Sequence, residues 1–251
     1  MEAFSISLPQ TWSELSDQQL LFFFRQVGRD LPLNEVLAIC VCKWAHLSVL
    51  CRDGSHRVLV RQRATKREVW LADWQLAYAC RQLSFLGSFA EMPVRISELR
   101  GAAAVAADLQ GVSFEDYLAI ENFYQGFLHT QSLDCLAEMA HLLYPLLSYR
   151  FTLSKAELIS VFYWFASVKL YFTKLFPNFF SAVPEGNGNL LGAAPTAIGE
   201  TLRQAMNAQI RALTAGDITK EARVLEMDCW RALTELDAKA KEAEEMRHLN
   251  S

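Results

Sequence analysis

From Ser154 to Phe176 the chain runs SKAELISVFYWFASVKLYFTKLF. Ser154 with Glu157 three residues on is a capping box: the serine hydroxyl takes a free amide and the glutamate reaches back to the serine N–H. The helix that follows is aromatic on almost every side, and a helix that is apolar all round is stable only when other elements enclose it. This feature constrains the fold most, because it demands a body large enough to make the segment its central core helix. Packing accounts for these aromatics without a cofactor.

The first hundred residues supply a different texture. AFSISL alternates as a strand does, and Pro9 ends it. Ser16 and Gln19 form a second capping box, and Asn34 to Leu47 is apolar nearly all round, as a buried helix should be. In LSVLCRDGSHRVLVRQ, Asp53-Gly54 divides two β-prone runs, with glycine supplying the positive φ of a tight hairpin turn. A third strand is expected at Lys66 to Leu71, a helix from about Ala72 to Leu86, and an edge strand at MPVRIS. From Ser113 the pattern is helical. Ser113 and Ser132 each precede an apolar-periodic run as caps, and Pro145 closes the second.

SAVPEGNGNLLGAAP interrupts this pattern with glycine, asparagine and proline, and suits a flexible linker or exposed loop. After it, Thr196 is placed to cap a helix with the stripe Ile198, Leu202, Met206, Ile210 and Leu213. Gly216-Asp217 then turns the chain into a long terminal helix. Its stripe is Leu225, Cys229, Ala232, Leu233, Leu236, and then Ala240 and Ala243. So short a turn between amphipathic helices predicts an αα-hairpin. The expected fold class is α+β, mainly α. Residues 1–110 form a small α+β unit with a β-meander, 111–180 a helical core, 181–195 a flexible loop and 196–251 a C-terminal helical hairpin. No internal repeat is visible at solenoid periods.

Composition narrows the function classes. At 52% hydrophobic residues in 251, the chain has either a large core or some surface meant for a partner. Its longest apolar run, Leu158 to Val168, is ended by Lys169 well short of the roughly 18 residues that span a bilayer. MEAFSISLPQ has no basic n-region of a signal peptide. The six cysteines lie scattered in apolar segments, which predicts reduced, mostly buried thiols and a cytoplasmic setting. The formal charge of −4 conceals an asymmetry. Lys43 to Arg67 holds seven Lys and Arg against Asp53 alone, whereas Asp217 to Arg247 holds nine acids against six bases.

No catalytic pattern emerges. Cys40, Cys42, His46 and Cys51 are close in sequence, but residues two apart on a helix point about 200° from each other, so Cys40 and Cys42 cannot share one ion. Glu138 and His141 make one Glu-x-x-His where di-iron bundles need two, with further glutamates. Gly186-Asn187-Gly188 follows no strand and is no phosphate cradle; Asp108, Glu115, Asp116 and Glu121 are carboxylates such as any helical surface offers. No nucleophile elbow, Walker loop or His-Glu-x-x-His is present. The expectation is no metal, no cofactor and no catalysis. A basic β-surface is the main alternative: Arg57, Arg61, Arg63, Lys66 and Arg67, with Trp70 and Trp74 nearby, suit single-stranded nucleic acid, although half-burial of the strand explains the alternation too. An enzyme ranks third.

LPQTWSELSDQQL, ENFYQGFLHTQ, VFYWFASVKLYF, FPNFF, MNAQIRALTAGDITKE and WRALTELDAKAKE together resemble a group of proteins of prophages and related mobile elements of gut bacteria, encoded among tail-morphogenesis genes. The resemblance spans nearly the whole chain and attaches to no catalytic motif. It implies a structural or chaperone-like role in phage tail assembly, with residence in the virion as an extension. The contact is expected at the C-terminal helices, with another protein or a second copy, through Trp230, Ala240, Ala243 and Met246. Trp230 is assigned there because it falls off the hairpin's stripe.

Overall fold

The computed structural model describes residues 6–54, 56–63, 65–182 and 195–249, with the backbone alone at 182 and 195–202. The fold is α+β and mainly α, with a small three-stranded antiparallel sheet, a two-stranded one and many helices. It divides into two compact units, Met1–Ala90 with Ser154–Ser160, and Glu91–Leu153 with Val161–Ser251.

In the first unit Ser16 caps α1 (Asp17–Val27) with the reciprocal bonds of a capping box. Helix α2 (Leu33–Trp44) follows and buries Val36, Leu37, Cys40 and Val41. Strands β1 (Leu47–Asp53), β2 (Arg57–Gln62) and β3 (Glu68–Ala72) then form a meander in the order β1-β2-β3. The hairpin stands where Asp53-Gly54 predicts it, but the left-handed residue of its turn is His56, at φ 60°, rather than Gly54. Helix α3 (Asp73–Gln82) and a 3₁₀ turn over Ser84–Gly87 complete the unit. An aromatic cluster of Trp12, Phe23, Phe24 and Phe85 fills its core, with the Trp12 indole donating to the Phe85 carbonyl at 3.0 Å.

Two expected strands are not found among the described residues. Ile6–Gln10 has no regular structure, and Ala3–Ser5 lies outside the described residues. MPVRIS is likewise irregular; the two-residue strands β4 (Glu98–Leu99) and β5 (Ala102–Ala103) pair just after it. Side chains of the second unit hold this irregular segment instead. The Tyr144 hydroxyl donates to the Ile96 carbonyl at 2.8 Å, and Arg95 donates to the Val105 carbonyl while lying over the Trp164 ring.

Helices α4 (Phe114–Thr130) and α5 (Leu133–Leu143) start at the serine caps Ser113 and Ser132. Helix α6 (Lys155–Leu175) opens at the Ser154/Glu157 capping box, with Ser154 N–H and hydroxyl both donating to Glu157. Its Val161, Trp164, Phe165, Val168 and Phe172 are fully or almost fully buried in the second unit, as a helix apolar on every side requires. Helix α7 is Pro177–Ala182. The expected loop at 181–195 falls mostly outside the described residues, as does Gly186-Asn187-Gly188. Helix α8 spans Pro195–Thr214, so Thr196 lies inside it and proline takes the first helical position, where no N–H is needed.

The single long terminal helix does not form. After a left-handed turn at Ala215 and Gly216 come a 3₁₀ turn at Ile218–Lys220, the short α9 (Glu221–Leu225), a break, and α10 (Cys229–Leu249). Tertiary bonds enforce the break. Phe114 N–H donates to the Met227 carbonyl at 2.7 Å, Cys229 N–H to the Val112 carbonyl at 2.9 Å, and Gly111 N–H to Asp228 Oδ2 at 2.6 Å. Asp228 Oδ1 accepts from Trp230 N–H and so caps the new helix. Helix α10 packs most extensively on α7, and also on α8 and α4, so it is more than one arm of a hairpin with α8.

Candidate functional site

Two surfaces hold the residues that the sequence singles out: the sheet of the first unit and helix α10 of the second.

On the sheet, alternation sorts β2 cleanly. Val58 and Val60 are buried, while Arg57, Leu59 and Arg61 point to the opposite face. Direct pairing aligns Cys51, Leu59 and Trp70 across the three strands on that open face, with Trp70 45% exposed. The next rows are Asp53, Arg57 and Ala72 on one side, and Ser48, Arg61 and Glu68 on the other. Arg61 is not a free cation, because its guanidinium makes a two-pronged contact with Glu68. Arg63 donates to Ser48 Oγ at 3.0 Å, which brings its charge to the same face. Lys66 and Arg67 are exposed in the β2–β3 turn. Trp74 does not join Trp70. It lines an apolar groove of about 320 Å³ with Val41, Leu47, Leu71 and Tyr78, and Leu71 pairs with Val58 on the buried face of the sheet. The two tryptophans thus serve opposite faces.

Helix α10 has two different halves. Cys229, Ala232, Leu233 and Leu236 are buried. Every residue from Lys241 to Leu249 is exposed, with Met246 at 62% and Leu249 at 86%. Ala240 is half-buried and Ala243 exposed. Trp230 is a correction to the expected outward group. Its ring meets Tyr171, Phe172 and Phe176 edge-on at 5.6–6.1 Å between centroids, and its indole N–H donates to the Asp108 carbonyl at 2.7 Å. It falls off the stripe facing α8 because it belongs to a second contact, with α6 and the loop before α4. Asp237 also makes a tertiary contact: it accepts from the Asn178 side chain at 2.8 Å and from Phe179 N–H at 2.9 Å, capping α7. Lys241 faces Glu245 at 4.0 Å, and Lys239 faces Glu235 at 3.5 Å.

Glu242, Glu245 and Leu249 join this exposed end without belonging to the alanine stripe. With Met246 they stand at i, i+3, i+4 and i+7, one exposed face of α10. That spacing is visible in the sequence, on a face neighbouring the alanine stripe.

Most of the remaining reactive groups are buried or hydrogen-bonded. Cys40 is fully buried, Cys42 half-buried and Cys51 exposed on the sheet. Burial pushes the Cys40 thiol up to about 12, with Cys80 adding to the effect, and burial also raises Cys42 and Cys80. His141 stacks on Tyr149 with ring centroids 3.7 Å apart and turns Nδ1 toward the Leu147 carbonyl. Asp116 bonds the Ser113 cap, Asp108 Oδ1 accepts from Gln110 N–H, and Glu121 binds Lys169 and Gln125, so these carboxylates form no pair. Among the described residues no group of three or more His, Cys, Asp and Glu is placed to hold a metal ion. No helix among them is long and apolar enough to cross a membrane.

Neither the protein-family models, nor the curated proteins, nor the solved structures contain a match to this chain.

Proposed function

We propose that the protein is a non-catalytic interaction protein that captures its partner through the free end of α10, in the setting of phage tail assembly, as a structural component or a chaperone-like companion. One observation carries this reading: Lys241 to Leu249 remains helical while every residue is exposed. A helix end without packing is marginal by itself, since isolated helices this short are unstable in water and exposed ion pairs add only about 0.2–0.5 kcal/mol each. An apolar pair such as Met246 and Leu249 held out on such a helix suits a partner that covers it. The tail setting rests on the sequence resemblance, and residence in a bacterial cytoplasm or a virion follows from that setting.

Retention of host proteins on the immobilised chain tests the reading. Proteins held by the wild type should be lost when Ala243→Glu and Met246→Glu are introduced together. Retention indifferent to both substitutions would refute it.

A second reading, binding of single-stranded nucleic acid, is favoured by the exposed Trp70 between Arg57 and Arg63. Asp53 and Glu68 on the same face, and the engagement of Arg61 by Glu68, weigh against it. Tight, steeply salt-dependent binding of oligonucleotides, abolished by Trp70→Ala, would promote it over the first.

A further inference from the structure

We propose that the partner of α10 is a second copy of this chain, the helix end of one copy lying on the open face of the β1–β3 sheet of another. The inference rests on the interaction reading above and names its partner.

Complementarity is the argument. The row Cys51, Leu59 and Trp70 crosses three strands about 4.8 Å apart, making an apolar strip one residue row wide and about 10 Å long, the length of about two helical turns. Arg57 borders the strip on one side and Arg63 on the other, while Arg61 is occupied by Glu68. The end of α10 offers the matching set on one face: Met246 and Leu249 for Trp70 and Leu59, Glu242 and Glu245 for the two arginines. The Glu245–Lys241 pair is exposed at 4.0 Å, a geometry worth little, so exchanging it for an arginine costs little. On the sheet Cys51 and Trp70 are exposed and Leu59 is half-buried, and every residue of the helix end is exposed. A uniformly anionic partner would meet Asp53 and Glu68 on the sheet, whereas this helix face carries only two acids, followed by two apolar groups.

Size sets the strength. The exposed helix end is about 13 Å long at 1.5 Å per residue, so the contact falls in the weak class below about 1,200 Å². Association is therefore concentration-dependent, and salt weakens it. The two patches differ, so the contact is heterologous and propagates into a ring or an open chain of copies.

Sedimentation velocity of the full chain over rising concentration tests this. The wild type should associate, less so in about 0.5 M salt. Arg57→Glu with Arg63→Glu, or Glu242→Lys with Glu245→Lys, should each weaken self-association at least ~tenfold, a change of about 1.4 kcal/mol. Trp70→Ser should do the same without altering charge. An equimolar mixture of the two charge-reversed proteins should associate again, because each then presents the surface the other needs. The proposal is overturned by a wild type that stays monomeric, by variants that associate like the wild type, or by a mixture that stays monomeric. It is overturned equally if the substitutions alter only the monomer's sedimentation coefficient, which marks a contact within one copy. A monomeric wild type that still captures host protein through Met246 removes the second copy and keeps the interaction reading; loss of both removes both.

Discussion

The indole of Trp230 donates to the carbonyl of Asp108 at 2.7 Å, and the adjacent carbonyl of Ala107 takes the indole of Trp164 at the same distance. Two tryptophans, one from α10 and one from α6, thus pin consecutive peptide units of an irregular segment. Trp230→Ala should cost about 3–5 kcal/mol in urea unfolding, the range for truncating a packed aromatic. Trp230→Phe keeps most of the ring contacts with Tyr171, Phe172 and Phe176 but leaves the Asp108 carbonyl without its donor. It should cost about 1–3 kcal/mol. A change below about 0.5 kcal/mol in either variant would return Trp230 to the surface.

Asp228 and Asp237 act as caps from within one helix-rich stretch. Asp228→Ala removes the acceptor for Trp230 N–H and for Gly111 N–H together. It should cost about 1–2 kcal/mol, the upper range for a lost cap. Asp237→Ala frees two donors of α7, and its cost should be similar in the same unfolding experiment.

These two residues show where the sequence was opaque. Caps that bond within their own first turn, at Ser16, Ser113, Ser132 and Ser154, were legible because the whole interaction lies within four residues. So was the meander, since strand alternation and the Asp53-Gly54 break are local. The interruption of the terminal helix was hidden, because helix formers stand on both sides and the bonds that impose it come from Gly111, Val112 and Phe114, over a hundred residues away in sequence. The missing MPVRIS strand has the same cause: the Ile96 carbonyl is taken by the Tyr144 hydroxyl, and the segment's own Arg95 side chain reaches the Val105 carbonyl, in place of a ladder. At the candidate surface, the basic cluster was readable in the sequence, but the pairing of Arg61 with Glu68 and the separation of Trp70 from Trp74 required the register of the sheet.

Alkali should unfold the protein through its thiols. Burial pushes the thiols of Cys40 and Cys229 up to about 12, against an ordinary value near 9, and burial raises the Tyr117 and Tyr124 phenols as well. Between those values the unfolded chain gives up protons that the folded chain keeps. Stability is therefore intact below about pH 9 and falls as pH rises toward 12, by up to about 1.4 kcal/mol per pH unit for each thiol. Urea midpoints measured from pH 7 to 11 should decline only beyond pH 9, and replacing Cys40 or Cys229 by Ala should flatten that decline. In the native protein an alkylating reagent should modify the exposed Cys51 first.

The account stands or falls on α10 being two halves, one packed and one free. Amide hydrogen exchange along this helix, in dilute protein, measures that division directly. Amides from Leu233 to Asp237 should be protected to near the global stability, and those from Glu242 to Leu249 should exchange orders of magnitude faster, as an unpacked helix end does. Equal, strong protection along the whole helix in dilute monomer would mean that the protein itself covers Met246 and Leu249, and no surface would remain there for a partner.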